Sequence, residues 1–195
     1  MTGETDLARI ARIGDSVFAV TITLLAYRVR PPSHDTLVSA DVSLWAPFLT
    51  DLAAVVLSFF VASVFWISHW RIFRRMRQSD MRFVALNLAF LGALILLPIS
   101  TSLVSSDFTR LGMMAYSINL FLAAAAGLFV RMHAQRLDPH AFGPGRLLLT
   151  PSLSMATFAC AALVSAWSPL GAVVLWCGAL VMPWIDGRWG IGRAA

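Results

Sequence analysis

Long apolar runs separated by short arginine-bearing segments dominate the chain. Six such runs lie near Ile13–Tyr27, Phe48–His69, Phe83–Val104, Leu111–Met132, Leu148–Trp167 and Leu170–Ile185. A helix that crosses a bilayer needs ~20 mostly apolar residues, within a range of roughly 17–25. Each run therefore predicts a transmembrane helix. The first is short and is expected to extend back into Ala8–Arg12. The fifth and sixth are parted only by a turn at Ser168-Pro169. Thr150-Pro151 reads as an N-cap followed by a proline at the first helical position, a second candidate start for the fifth helix. Pro98, inside the third run, predicts a kink, because proline offers no N–H and clashes with the preceding turn.

Composition agrees with this pattern. Hydrophobic residues make up 58% of the 195 residues and charged residues 13%, about half the usual globular share. The predicted class is all-α: a polytopic membrane protein forming one six-helix domain over residues 1–195, with no clear repeat. The N-terminal segment carries Glu4 and Asp6 and no basic stretch. It does not resemble a cleaved signal peptide, so the first helix is expected in the mature protein. The sequence pI near 10.5 could suggest nucleic acid. All the basic residues are arginine, however, and cytoplasmic loops of membrane proteins are arginine-rich for topological reasons. No nucleic-acid partner is expected. Cys160 and Cys177 lie in separate apolar runs and read as small buried hydrophobes.

Arginine placement sets an orientation. With the N-terminus inside, Arg9 and Arg12 share that side with Arg71, Arg74, Arg75, Arg77 and Arg82. Arg131, Arg136, Arg146, Arg188 and Arg193 join them, making twelve of the fifteen arginines. Only Arg28, Arg30 and Arg110 fall outside. Both termini are thus expected in the cytoplasm, with a polar outer loop over Val29–Pro47.

This orientation gathers scattered polar residues at one depth. Asp15 lies near the inner end of the first helix, His69 ends the second, and Asn87 lies just over a turn into the third. An ionisable group at membrane depth costs ~2.5–3.5 kcal/mol on the insertion scale, so it needs a partner or a task. Six helical residues rise ~9 Å and turn through ~600°, so Arg9 and Asp15 point in different directions. Each needs a partner elsewhere, and His69, Asn87 and Arg71 are the candidates. The plainer reading is a polar clasp between helices, worth ~0.6–2 kcal/mol per contact. The sharper one is a proton or ion site. Asn119, in mid-helix, is expected to hydrogen-bond a neighbouring helix.

The first helix has two faces of interest. Stepping at ~100° per residue aligns Asp15, Ala19, Ile22 and Ala26, whose small members suit close packing. About 120° away, Arg9, Ile13, Ser16, Val20, Thr23, Leu24 and Tyr27 share a broad stripe. Four copies of that stripe around an axis would enclose a narrow hydrophobic tube with Val20, Leu24 and Tyr27 as constrictions. Such constrictions gate ions by dewetting. Periodicity alone equally allows a stripe that faces lipid or another helix.

The residues around Asp15 resemble the signature of the transmembrane protein 175 family, the lysosomal potassium channels and their prokaryotic relatives. The family pattern is Arg-x-x-x-Phe-Ser-Asp followed by an apolar run ending in Thr-Leu. Arg9, Ile13, Gly14 and Asp15 occupy it, with Thr23-Leu24 after it. A second block matches at Trp66-Ile-Ser-His69-Trp-Arg71-Ile-Phe73, then Asp80, Leu86-Asn87-Leu88 and Leu97-Pro98. The resemblance covers roughly the first half of the chain. It implies a homotetramer of six-helix subunits in a prokaryotic cell membrane, passing potassium ions without the usual filter loop. It implies that Val20, Thr23, Leu24 and Tyr27 line the pore. It also implies that Arg9, Asp15, Trp66, His69 and Asn87 hold the helices together near the cytoplasmic end. No cofactor follows beyond the permeant ion.

Some residues depart from the family pattern. Ile13-Gly14 replaces Phe-Ser, which removes a hydroxyl and an aromatic contact and puts a glycine where it can loosen the helix start. Tyr27 places a bulky ring among aliphatic positions. Four Arg28 side chains near an outer mouth would repel cations unless Asp35 or Asp41 screens them or they point away. The leading expectation is a potassium-permeable channel. The alternative is a secondary transporter or proton-coupled carrier using Asp15 and His69, which lacks the inverted repeats and broken midplane helices of that class. An enzyme ranks last: His34, His69, His133 and His140 have no ligand spacing, and no nucleophile elbow occurs.

Overall fold

The structure is a computed structural model that describes residues 3–27, 29–39, 41–105, 109–142 and 149–185. It is all-α, with no strand among the described residues. The elements are α1 (Gly3–Ala26), α2 (His34–Val38), a 3-10 turn (Val42–Trp45), α3 (Ala46–Phe73) and α4 (Met81–Ile95). They continue with α5 (Leu97–Ser105), α6 (Arg110–Leu137), α7 (Pro139–Phe142), α8 (Leu149–Val164) and α9 (Pro169–Ile185).

Local chemistry sets the boundaries. Asp80 caps α4 by accepting the Phe83 N–H at 2.7 Å, and Thr109 caps α6 by accepting that of Gly112 at 3.1 Å. Pro47 sits in the first turn of α3, where its missing N–H costs nothing. Pro98 does more than bend its helix. The apolar run ends at Ile95 and restarts at Leu97, so one predicted element is two. The first helix begins ten residues earlier than its apolar run, at Gly3. The fifth predicted helix is found from Leu149, and Leu148 lies outside the described residues. The expected outer loop contains α2 and the 3-10 turn, the latter capped by Asp41, which accepts the Ser43 N–H at 2.9 Å.

Among the described residues, three helical stretches are long and apolar enough to cross a membrane: Val42–Phe73, Met81–Ser105 and Arg110–Leu137. The apolar parts of α8 and α9 are shorter. In lipid, helices gain little from hydrophobicity against one another, so close packing and polar contacts hold the bundle. α6 is its hub, touching α3, α4, α5, α7, α8 and α9, while α1 lies against α3, α4 and α5. Ala123 and Ala124 on α6, Ala161 on α8 and Ala172 on α9 are buried, which lets the backbones approach. At Gly112 a Cβ would run into the Leu103 carbonyl, so α5 and α6 meet backbone to backbone.

Polar pairs tie the interior. The Ser58 hydroxyl shares hydrogen bonds with Thr101 (2.8 Å) and Tyr116 (2.9 Å), joining α3, α5 and α6. Trp176 Nε1–H donates to the Ser117 hydroxyl at 3.1 Å, joining α9 to α6. Asn119 donates to Ser100 on α5 at 3.0 Å, the neighbouring-helix bond expected of it. Cys160 and Cys177 correct the sequence reading: both are free and exposed. A chain that meets lipid can be apolar on its outside, so apolar surroundings in sequence do not imply burial.

Candidate functional site

The first helix has a saturated side and a bare one. Leu7, Gly14, Phe18, Thr21 and Leu25 recur at spacings of seven, four, three and four, and all are buried. The exposed residues include every sequence-predicted pore position: Val20 at 59%, Leu24 at 48%, Tyr27 at 90%, and Thr23 beside them. The Ser16 and Thr23 hydroxyls on this side are turned onto their own helix. Thr23 donates to the Ala19 carbonyl at 2.8 Å and Ser16 to that of Arg12 at 2.9 Å. Apart from the Tyr27 hydroxyl, the stripe from Val20 to Tyr27 thus shows apolar surface. Ala19 and Ala26, grouped by sequence on a packing face, are exposed within the chain; the packing face is the Phe18 side.

The buried side of α1 closes on His69, near the end of α3. His69 donates through Nε2–H to Asn87 Oδ1 on α4 at 2.8 Å, with both side chains buried. Its ring stacks on Phe90 (centroids 5.6 Å, 14°) and touches Phe73 (4.6 Å) and Phe18 (5.6 Å). Gly14 completes the box. A Cβ there would stand 2.6 Å from His69 Cε1, so the glycine admits the imidazole edge to the α1 backbone. The expected loosening at Gly14 does not occur, since α1 runs unbroken through it. Ile13, in the family's aromatic position, is exposed, and Phe18 supplies the aromatic contact instead.

Asp15 finds a partner that depth alone did not suggest. Trp66 Nε1–H donates to its Oδ1 at 2.9 Å. Trp66 stacks on Trp70 (6.4 Å, 22°), and the Arg74 guanidinium lies 4.6 Å from the Trp70 ring centre. Thus Asp15 with Trp66, and His69 with Asn87, are brought together as two adjacent pairs. Arg9 is exposed, and among the described residues it joins neither pair.

A further tie at the same end escaped sequence reasoning. His133 on α6 approaches both Asp80 oxygens, at 2.8 and 2.9 Å, and Gln78 donates to the Leu137 carbonyl at 2.7 Å. The Phe83 N–H, and then His133, hold the Asp80 carboxyl below its ordinary range. The only forewarning was an acid at a helix start, which usually means a cap alone. These bonds bring the starts of α1 and α4 and the ends of α3 and α6 to one end of the bundle. Arg71, Arg74, Arg75, Arg77, Arg82, Arg131 and Arg136 belong to it, and Arg110, at the far end of α6, does not. Arg28, Arg146, Arg188 and Arg193 lie outside the described residues. In the loop between α1 and α3, hydrogen bonds from Ser43, side chain first, depress the Asp41 carboxyl.

No group of three or more histidines, cysteines and acids could hold a metal among the described residues. What the arrangement can do is mechanical and electrostatic. It fixes one long helix by its inward face and leaves the outward face bare.

Comparison with known proteins follows the same outline. The family model for "endosomal/lysosomal potassium channel TMEM175" matches residues 9–98, from Arg9 to the helix-breaking proline. A potassium channel of Chamaesiphon minutus is 29% identical over 195 aligned positions, covering 86% of this chain and 90% of that protein. A potassium channel of a Chryseobacterium species is 26% identical over 119 positions, 60% of this chain and 59% of that protein. Among solved structures, the crystal structure of a lysosomal potassium-selective channel TMEM175 homologue from Chamaesiphon minutus superposes with a TM-score of 0.82. It covers 94% of this chain and 99% of that one at 21% identity, which establishes the shared fold.

Proposed function

We propose that this chain, which belongs to the TMEM175 family, is a potassium-permeable cation channel whose pore is lined by the outward stripe of α1. Four copies surround the axis in this reading. Val20, Thr23, Leu24 and Tyr27 of each form the lining, and the aliphatic and tyrosine side chains form the constriction. Six spans follow if α4 and α5 count as one broken crossing beside α1, α3, α6, α8 and α9. The 195 residues then act as one channel domain in a prokaryotic cell membrane, with both termini cytoplasmic.

The observation that carries this reading is the asymmetry of α1. A helix of 24 residues is anchored through Phe18, Gly14 and Leu25, while Val20, Leu24 and Tyr27 stay exposed in register. Large apolar side chains one turn apart, with neighbouring hydroxyls satisfied by their own helix, suit a dewetting constriction. The clasp sets the angle at which each stripe meets the axis. Asp15 and Trp66 fix one edge of α1, and His69, held by Asn87, fills the notch at Gly14. A carrier using Asp15 and His69 would have to load and release protons there. Each is instead held by a neutral partner, which suits positioning better than turnover.

The test is ion flux into liposomes holding the purified protein, with potassium, sodium and a large organic cation compared. Potassium flux well above empty liposomes, with the organic cation excluded, is expected. Leu24→Ala widens the constriction and should raise potassium flux severalfold in an intact oligomer. Unchanged flux in that variant would remove α1 from the pore. Saturating, substrate-dependent flux would turn the reading toward a carrier.

A further inference from the structure

The end of α3 carries an arrangement that the clasp does not use. Trp66, Trp70 and Arg74 follow one another at intervals of four, so they share one face of the helix. Trp70 is 40% exposed and Arg74 and Arg75 are exposed. The Arg74 guanidinium engages the Trp70 ring at 4.6 Å. That contact occupies the face of the guanidinium and leaves its in-plane N–H donors available. Among the described residues, neither the Arg74 nor the Arg75 side chain has a protein acceptor, and neither has the Trp70 indole N–H. Arg71 makes contacts of its own and is left out of this group.

Position and charge both specify what covers this surface. A 28-residue helix is about 42 Å long and a hydrocarbon core about 30 Å thick, so the last turns of α3 emerge at headgroup level. Tryptophan side chains favour that level. Residues 71–82 hold five arginines and one acid, and that acid, Asp80, is engaged by His133. An anion is attracted, and a planar guanidinium already steadied by an indole suits the two oxygens of a phosphodiester.

We propose that Trp70, Arg74 and Arg75 bind the phosphodiester headgroup of an anionic membrane lipid. Trp70 lies along the glycerol and upper acyl region, and the two arginines hold the phosphate. This requires the chain to sit in a bilayer but does not require it to conduct ions.

The test is native mass spectrometry of the full-length protein released from mixed bilayers of phosphatidylglycerol and phosphatidylcholine. The wild type should retain phosphatidylglycerol preferentially. A basic residue near a charged surface changes binding about fivefold, so Arg74→Ala/Arg75→Ala should lower retention by roughly twenty- to thirtyfold. Phosphatidylcholine, whose phosphate is balanced by its own choline cation, should lose much less. Trp70→Leu should weaken retention severalfold, and Arg110→Ala, at the opposite end, should have no effect. Independently of any variant, rising salt should erode the preference of the wild type. Equal retention of the two lipids by the wild type would overturn the proposal. So would full phosphatidylglycerol retention in the double variant. A change in oligomer mass in that variant, without lipid loss, would assign the face to a second copy instead.

Discussion

The two polar clusters of the bundle are built from different materials. Ser58, Thr101 and Tyr116 form a hydroxyl network between α3, α5 and α6, fully buried and made of groups that stay neutral. Asp15, Trp66, His69 and Asn87 form the second cluster with an acid and a histidine, one pair exposed and the other buried. Hydroxyls can knit helices wherever two of them meet, and little beyond packing depends on their positions. The second cluster includes a glycine that admits a ring and an acid held from one side, both on α1. The bundle therefore spends its costly polar chemistry on placing the helix whose other side is bare.

The sharpest way to break this contrast is at Gly14. Gly14→Val would drive side-chain atoms into a space where even a Cβ stands 2.6 Å from His69. Overpacking of this kind costs roughly 3 kcal/mol or more when the obstacle is itself wedged, and Phe90, Phe73 and Asn87 wedge the imidazole. Loss of folded protein on size exclusion, or a large drop in Tm, is the expected result. A stable Gly14→Val variant with normal flux would show that the notch has no positioning role. Asn87→Leu comes next. It leaves the His69 Nε2–H buried without its acceptor, at about 1–3 kcal/mol. A lower Tm together with altered flux in the surviving folded protein is expected, because α1 would lose its fixed angle. Tyr116→Phe tests the other cluster. It removes one hydroxyl while Ser58 keeps Thr101, so about 0.6–2 kcal/mol of stability should go and flux should stay unchanged. Altered flux in Tyr116→Phe would end the division of labour between the clusters.

The sequence carried some parts of this picture and not others, for physical reasons. The spans were legible because the bilayer demands long apolar runs, and the break at Pro98 because proline cannot donate. His69 and Asn87 were legible as members of one cluster because topology puts the ends of consecutive helices at one depth. Their direct bond was not, because depth says nothing about azimuth. The role of Gly14 was misread for a related reason. Propensity describes an isolated helix, whereas at Gly14 the deciding fact is the neighbouring ring. Ala19 and Ala26 were assigned to packing because small residues usually pack, but Phe18 and Leu25 hold the buried side. The His133–Asp80 pair joins residues 53 apart and had no local pattern to announce it.

That pair supplies the smallest effect and the most specific pH dependence. The Asp80 carboxyl is held below its ordinary value of 3.8, first by the Phe83 N–H and then by His133. A carboxyl with a depressed folded-state pKa stabilises the fold fully above its unfolded value. That contribution fades as pH falls through the folded value, where protonation removes the charge the cap and the histidine favour. Asp80→Asn keeps a capping oxygen but cannot carry the charge. The Tm advantage of the wild type over Asp80→Asn should therefore be present throughout pH 5 to pH 8. It should shrink only below about pH 4, as the folded-state carboxyl takes up its proton. An advantage absent from pH 5 to pH 8 would show that the Asp80 charge contributes nothing to the cap or to its tie with α6.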